Sequence, residues 1–269
     1  MTRRELESAL RDGGIEESAE EALLLFSHLT GLSKARLLAE PNLSVEECTV
    51  APLLSRRLAR EPLQYILGEA PFANEIYSVS PDCLIPRFDT ERLVEAAAER
   101  IPKNAHIADL CTGSGCVAIS LLALRKDLTA DAFDISGGAL RIAEENAKRN
   151  GVSERISFKK ADLLSLSSLP RIYEAILSNP PYIRTDELAS LSPEVQKEPR
   201  LALDGGGDGL VFYKHFVTSF RTSLAKNGLF LFEIGFDQGS ALREIANAAS
   251  MTCDILKDYG GCDRVAILM

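Results

Sequence analysis

Basic residues are in the minority: 30 Lys and Arg stand against 39 Asp and Glu, a net charge of -9 over 269 residues. A protein that grips duplex DNA through its phosphates usually carries a basic face. None is evident along this chain, so no direct nucleic-acid contact is expected. Long apolar runs are missing too, and a membrane span needs one. Met1 to Glu7 is charged and no apolar core follows it, which argues against a secretory signal. The expectation is a soluble protein of the cytoplasm with no membrane attachment. The six cysteines form no Cys-x-x-Cys pair, and no histidine lies at ligand spacing from them. No metal site and no Cys-His nucleophile is expected, and the thiols are expected to be buried and reduced. His28, His106 and His215 are scattered and read as structural or solvated.

What is present begins with helices. Leu6, Leu10, Ala22, Leu23, Leu25, Phe26 and Leu29 recur at helical spacing. Gly13-Gly14 and Gly31 punctuate the pattern, and Pro41-Asn42 and Pro52 break or start helices. Ser44, ahead of Glu46-Glu47, is expected to cap one. Residues 1–69 are thus expected to form a small bundle of four or five short helices. Glu16, Glu17, Glu20 and Glu21 would suit a basic partner surface, which makes the bundle a candidate substrate-recognition module. A stabilising cap with a solvated acidic face explains them equally well. Residues 70–86 follow as a β-hairpin linker, in which Glu75 to Val79 alternates as a strand does. A helix then opens at Asp89-Thr90-Glu91 and runs to Arg100.

From 87 to 269 strands and helices alternate. Strands are expected at about Ile107, Asp131–Ile135, Ile156–Phe158, Tyr173–Leu177, Leu229–Ile234, Cys253–Leu256 and Val265–Leu268. Helices are expected over Gly138–Asn150, Gly209–Ala225 and Gln238–Ala249, with a loop from Arg184 to about Gly207. This order implies an α/β fold: a mostly parallel seven-stranded sheet with helices on both faces. Ligands of such sheets sit at the carboxyl ends of the strands.

Two stretches at strand ends carry chemistry. Cys111-Thr112-Gly113-Ser114-Gly115 joins a strand to a helix, and its glycines let a ligand approach the backbone. Asp134 ends the next strand about twenty residues later, the spacing at which a carboxylate receives a ribose diol. Ala118 at the third position keeps a dinucleotide site in contention. The second stretch, Asn179-Pro180-Pro181-Tyr182, decides against it, because hydride transfer has no use for it. Two prolines stop the strand and stiffen the loop beyond it. The Asn179 side-chain oxygen and the Pro180 carbonyl can then accept two hydrogen bonds from a planar NH2 group, with the Tyr182 ring over its flat face. An ordinary Pro-Pro turn is the plainer alternative.

Taken with Glu61-Pro62-Leu63-Gln64-Tyr65-Ile66-Leu67-Gly68, Ile85-Pro86-Arg87, Asp109-Leu110-x-Thr112-Gly113-Ser114-Gly115 and Glu198-Pro199-Arg200-x-Ala202-Leu203, these stretches resemble the HemK/PrmC family over nearly the whole chain from about residue 60. The resemblance implies a Rossmann-like S-adenosylmethionine-dependent methyltransferase domain. It also implies methylation of the glutamine of the Gly-Gly-Gln motif in peptide chain release factors, with S-adenosylhomocysteine as the product. It assigns donor binding to Cys111, Thr112, Gly113, Ser114 and Gly115, to Asp134 and to the Asp162-Leu163 pair, with Asn179 shared. It assigns the substrate amide to Asn179, Pro180, Pro181 and Tyr182, and the catalytic roles to Asn179, Pro180 and Tyr182. Three positions depart from the family pattern: Cys111 where glycine is common, Phe88 where proline is common, and Leu163 where some members have an aromatic residue. A glutamine methyltransferase of a ribosomal protein would use the same motifs. An adenine-N6 nucleic-acid methyltransferase would share Asn-Pro-Pro-Tyr, and a non-catalytic binding protein could keep the fold.

Overall fold

The computed structural model describes residues 1–269 and divides into two compact units. The first comprises 1–69 with 192–197, the second 70–191 with 198–269. The first holds α1 (Arg3–Asp12), α2 (Ser18–Thr30), α3 (Lys34–Ala39), α4 (Glu47–Leu58) and the short α5 (Leu63–Leu67). Thr2 and Glu5 close a capping box at the start of α1. The apolar stripes seen in the sequence meet as one core, with Leu6, Leu10, Leu25 and Phe26 fully buried. Ser44 does not cap a helix. The Met1 ammonium donates to the Val45 carbonyl and Val45 donates back to Met1, holding this stretch extended so that Ser44 bridges Thr2. The helix cap falls instead at Glu46. Pro52 lies inside α4 rather than at an end. Arg57 is buried, and its charge is met by Glu21 at 2.6 Å and Glu194 at 2.9 Å.

The second unit begins with a hairpin, β1 (Glu69–Phe72) and β2 (Glu75–Ser78). Ala73 and Asn74 both take positive φ, the turn geometry that matches strand twist. Then follow α6 (Phe88–Arg100), β3 (His106–Leu110), α7 (Cys116–Leu124), β4 (Thr129–Asp134), α8 (Gly137–Arg149), β5 (Ile156–Lys160), β6 (Tyr173–Ser178), α9 (Val211–Phe220), β7 (Leu224–Glu233), α10 (Gly239–Ala248), β8 (Cys253–Lys257) and β9 (Asp263–Leu268). The strands form one seven-stranded sheet in the order β5-β4-β3-β6-β7-β9-β8. All neighbours are parallel except β9, which runs against both β7 and β8.

Side chains alternate between two cores, as the period-two geometry of strands requires. Ile107, Leu177 and Leu231 pack under α6 and α7, whereas Ala108, Ile176, Phe230 and Phe232 face Tyr213, Phe216 and Phe220 of α9. The strand order reverses between β3 and β6, which opens a crevice beyond their carboxyl ends. No helix is long and apolar enough to cross a membrane. The six cysteines are unbridged. Cys83 and Cys116 are buried as expected, but Cys48 and Cys262 are exposed.

Candidate active site

The crevice is a cleft of about 1050 Å³, open mouth included. Cys111, Thr112, Gly113, Ser114, Asp134, Asp162, Leu163, Asn179 and Pro181 all line it. Gly115, Pro180 and Tyr182 do not. The two glycines of the loop do different work. A Cβ on Gly113 would meet nothing within 4 Å, so its backbone faces open space. A Cβ on Gly115 would come within 2.6 Å of Ile119 and 3.1 Å of Ala143, so that glycine serves the packing of α7 on α8. Cys111 takes a φ of 57°, a left-handed conformation that costs a residue with a side chain roughly 1–2 kcal/mol. A glycine would adopt it without strain.

Asp134 accepts from the Gly113 amide and the Ser136 amide, each at 2.8 Å. The loop and the acid therefore hold each other in place. Burial raises the Asp134 carboxyl above its ordinary range, and these amides oppose the rise only in part. Asp162 accepts from the Leu164 amide and so caps the turn that presents Leu163 to the cleft. Asp109 was not a sequence candidate, yet it lines the cleft at 1% exposure. Burial pushes it up to about 7, against the hydroxyl of Thr112 donating at 2.6 Å.

Asn179 follows the last residue of β6. Its Nδ2 donates to the Thr90 hydroxyl at 3.2 Å, which turns the side-chain oxygen the other way. That oxygen is buried and has no partner. The Ser114 hydroxyl oxygen, also in the lining, is a second buried atom without one. A buried polar atom left unpaired costs about 1–3 kcal/mol. Two of them against one cleft mark places where a ligand would supply the missing bonds. Tyr182 packs its ring against the α9 core and donates its hydroxyl to Glu233 Oε1 at 3.3 Å, rather than presenting its ring to the cleft.

The wall opposite the glycine loop comes from residues distant in the sequence. Glu198 is 5% exposed, accepts from the Ile85 amide at 3.0 Å and pairs with Arg87. It thereby ties Leu84–Arg87 to the turn bearing Pro199, Leu201 and Ala202, and both segments line the cleft. Thr90 and Glu233 also went unnoticed in the sequence. Glu233 is a lone acid at the end of an apolar run, and that was the signal available.

Comparison with known proteins places this arrangement among methyltransferases. The PrmC N-terminal domain matches residues 2–68, and the methyltransferase small domain matches residues 88–227. The release factor glutamine methyltransferase of Moorella thermoacetica is 39% identical over 263 residues, covering 95% of this chain and 92% of its own. That of Cereibacter sphaeroides is 39% identical over 261 residues, covering 95% and 92%. Among solved structures, a methyltransferase from Pyrococcus furiosus superposes with a TM-score of 0.54 at 12% identity, over 71% of this chain and 87% of that one, a likeness of fold alone.

Proposed function

Because the chain belongs to the release factor glutamine methyltransferase family, we propose that it methylates the side-chain amide nitrogen of the glutamine in the Gly-Gly-Gln motif of peptide chain release factors. The methyl donor would be S-adenosylmethionine and the second product S-adenosylhomocysteine. The observation that carries the proposal is the buried Asn179 oxygen, unpartnered and held at the cleft by the bond from its own amide group to Thr90.

The residues present suit the donor. Gly113 leaves room against its backbone, Ser114 has an unpaired hydroxyl oxygen, and Asp134 faces the same cleft as a carboxylate fit for a ribose diol. Cys111, Thr112, Asp162 and Leu163 complete the lining on that side, and Gly115 sets the loop against α8. When bound, S-adenosylmethionine supplies an electrophilic methyl group on a sulfonium centre.

A glutamine amide is a poor nucleophile, because its nitrogen lone pair is delocalised into the carbonyl. Its proton is far too weakly acidic for a side chain to remove first. The chain's contribution is therefore position and charge. The Asn179 oxygen at the cleft accepts one amide hydrogen and fixes the nitrogen; the Pro180 carbonyl, next along the loop although Pro180 is not in the lining, is the acceptor proposed for the other, with Pro181 stiffening the loop. Orientation of this kind is worth about 7 kcal/mol or more for well-placed reactants. As the nitrogen turns positive both bonds strengthen, so they favour the transition state over the ground state, and the methylated nitrogen then releases its extra proton to water. Tyr182 holds the far end of the loop through its hydroxyl bond to Glu233.

The same proposal takes residues 1–69 as the recognition unit for the release factor, 70–86 as a linker and 87–269 as the methyltransferase domain. Action on release factors would place the protein in the cytoplasm. The test is transfer of labelled methyl to a purified release factor, to its Gly-Gly-Ala variant, to ribosomal proteins and to DNA. Label on the unaltered release factor alone is expected. Label on a ribosomal protein or on DNA instead would overturn the substrate assignment.

A further inference from the structure

Glu233 is the last residue of β7 and is 1% exposed. A buried acid is costly unless it is paired. Arg264 favours the charged form, but its guanidinium makes its ion pairs with Asp258 at 3.0 Å and Asp89 at 3.3 Å, and burial still carries the Glu233 carboxyl upward. Glu233 Oε2 is buried and has no hydrogen-bond partner. Oε1 accepts from the Tyr182 hydroxyl at 3.3 Å, and the Thr90 hydroxyl lies close enough to favour the charged carboxylate. The residue itself is well fixed. Its backbone carbonyl accepts from the Tyr213 hydroxyl at 2.8 Å. A packing role alone would be met better by an apolar side chain, as at Leu229 and Leu231, which alternate onto the same face of the strand.

Its two polar neighbours explain the acid. Tyr182 ends the Asn179–Tyr182 stretch, and Thr90 accepts from Asn179 Nδ2 at 3.2 Å. A threonine hydroxyl has one proton to give. Directed at the carboxylate, that proton is denied to Asn179, so the Asn179 amide can meet Thr90 only through its NH2 group. The side-chain oxygen must then face the cleft. With the proton turned the other way, the amide could flip and present NH2 to the cleft, where it would repel an amino group instead of accepting from it.

We propose that Glu233 is a positioning residue for methyl transfer: through Thr90 it sets the Asn179 amide with its oxygen towards the acceptor nitrogen, and through the Tyr182 hydroxyl it pins the other end of the same loop. The proposal rests on Asn179 being the acceptor of the substrate amide hydrogens, and its test separates the two.

The test measures kcat and KM for the release factor, donor affinity by calorimetry and thermal unfolding, in Glu233→Gln, Thr90→Val, Thr90→Ser, Asn179→Ala and the Glu233→Gln/Thr90→Val double variant. Glu233→Gln and Thr90→Val are each expected to lower kcat about 100-fold, with donor affinity unchanged. Groups acting in one chain are not additive, so the double variant should fall well short of the product of the two single losses, and any further fall below Thr90→Val reports the Tyr182 arm. Thr90→Ser keeps the hydroxyl and should recover most of the turnover that Thr90→Val loses. Wild-type kcat in either single variant would overturn the proposal, as would losses that multiply in the double variant or a matching fall in donor affinity. Should Glu233→Gln fail to fold, the two Thr90 variants decide the matter, with equal turnover in both contradicting the relay. Wild-type turnover in Asn179→Ala would instead overturn the platform on which the proposal rests.

Discussion

Asp131 and Asp134 lie three residues apart on β4 and have opposite surroundings. Asp131, 2% exposed, is met by Lys159 at 2.6 Å, the Ser157 hydroxyl at 2.6 Å and the Tyr173 hydroxyl at 2.8 Å. Burial alone would raise its pKa, but these partners hold it well below the ordinary carboxylate range. Asp134, at the carboxyl end of the same strand, has two backbone amides and no cation in contact, and burial carries it upward. Glu233 and Asp109 repeat the second pattern at the ends of β7 and β3, each pushed up to about 7 by burial. One end of the sheet neutralises its charges and the other leaves them short of partners. The difference teaches where binding energy is held in reserve: incompletely satisfied polar groups gather where a ligand is to complete them.

The contrast can be broken from either side. Asp131→Asn strands Lys159 beside a neutral partner and should cost about 3 kcal/mol of stability in urea unfolding. Asp131 touches nothing in the cleft, so methyl transfer by the folded variant should keep its wild-type rate. A large fall in kcat with little loss of stability would erase the distinction between the two ends. Asp134→Ala should do the converse. Even one lost hydrogen bond to a charged group is worth about 2 kcal/mol, so donor affinity should fall about 30-fold or more in calorimetry. Normal donor binding would remove Asp134 from the ribose.

A third effect is one of pH. The Glu233 carboxyl is raised from its usual 4.5 to about 7, with Thr90 and Asp89 of α6, Tyr182 and Arg264 around it. Between those values the native state keeps a proton that the unfolded chain has released. Stability is therefore undiminished below 4.5 and is eroded as pH rises towards 7. Glu233→Gln removes that erosion, so its melting temperature relative to wild type should climb between about pH 5 and 8. A constant difference would contradict the buried-acid account. Asp131 has the opposite sign. Its contribution is present above the ordinary value of 3.8 and is lost as pH falls below it.

Much of the fold was legible because its signals are local. The apolar runs marked all seven strands, and the alternation of strands and helices implied a parallel sheet. Glycines and a strand-terminal acid marked the loop facing Asp134. Errors arose where a distant partner decides. The helix expected to reach Ala225 stops at Phe220, and β7 starts at Leu224, because Leu224 pairs with Tyr173 across the sheet. Ser44 looked like a cap until Met1 claimed Val45. In the site, Asn179 was visible because two prolines come directly after it. Thr90 read as one letter of a helix start, and Glu233 as the end of a strand, since neither shows from sequence that it lies beside Asn179 and Tyr182. That Glu233 would hold the Tyr182 hydroxyl was equally invisible, because the two are 51 residues apart.

The central claim is that the Asn179 oxygen serves the acceptor of the transferred methyl far more than the donor. Single-turnover methyl transfer to a release factor at saturating donor, compared between wild type and Asn179→Ala with donor affinity measured in parallel, tests it most directly. The account expects the rate to fall about a hundredfold or more, with donor affinity nearly unchanged. A wild-type rate, or a loss of donor affinity as large as the loss of rate, would contradict it.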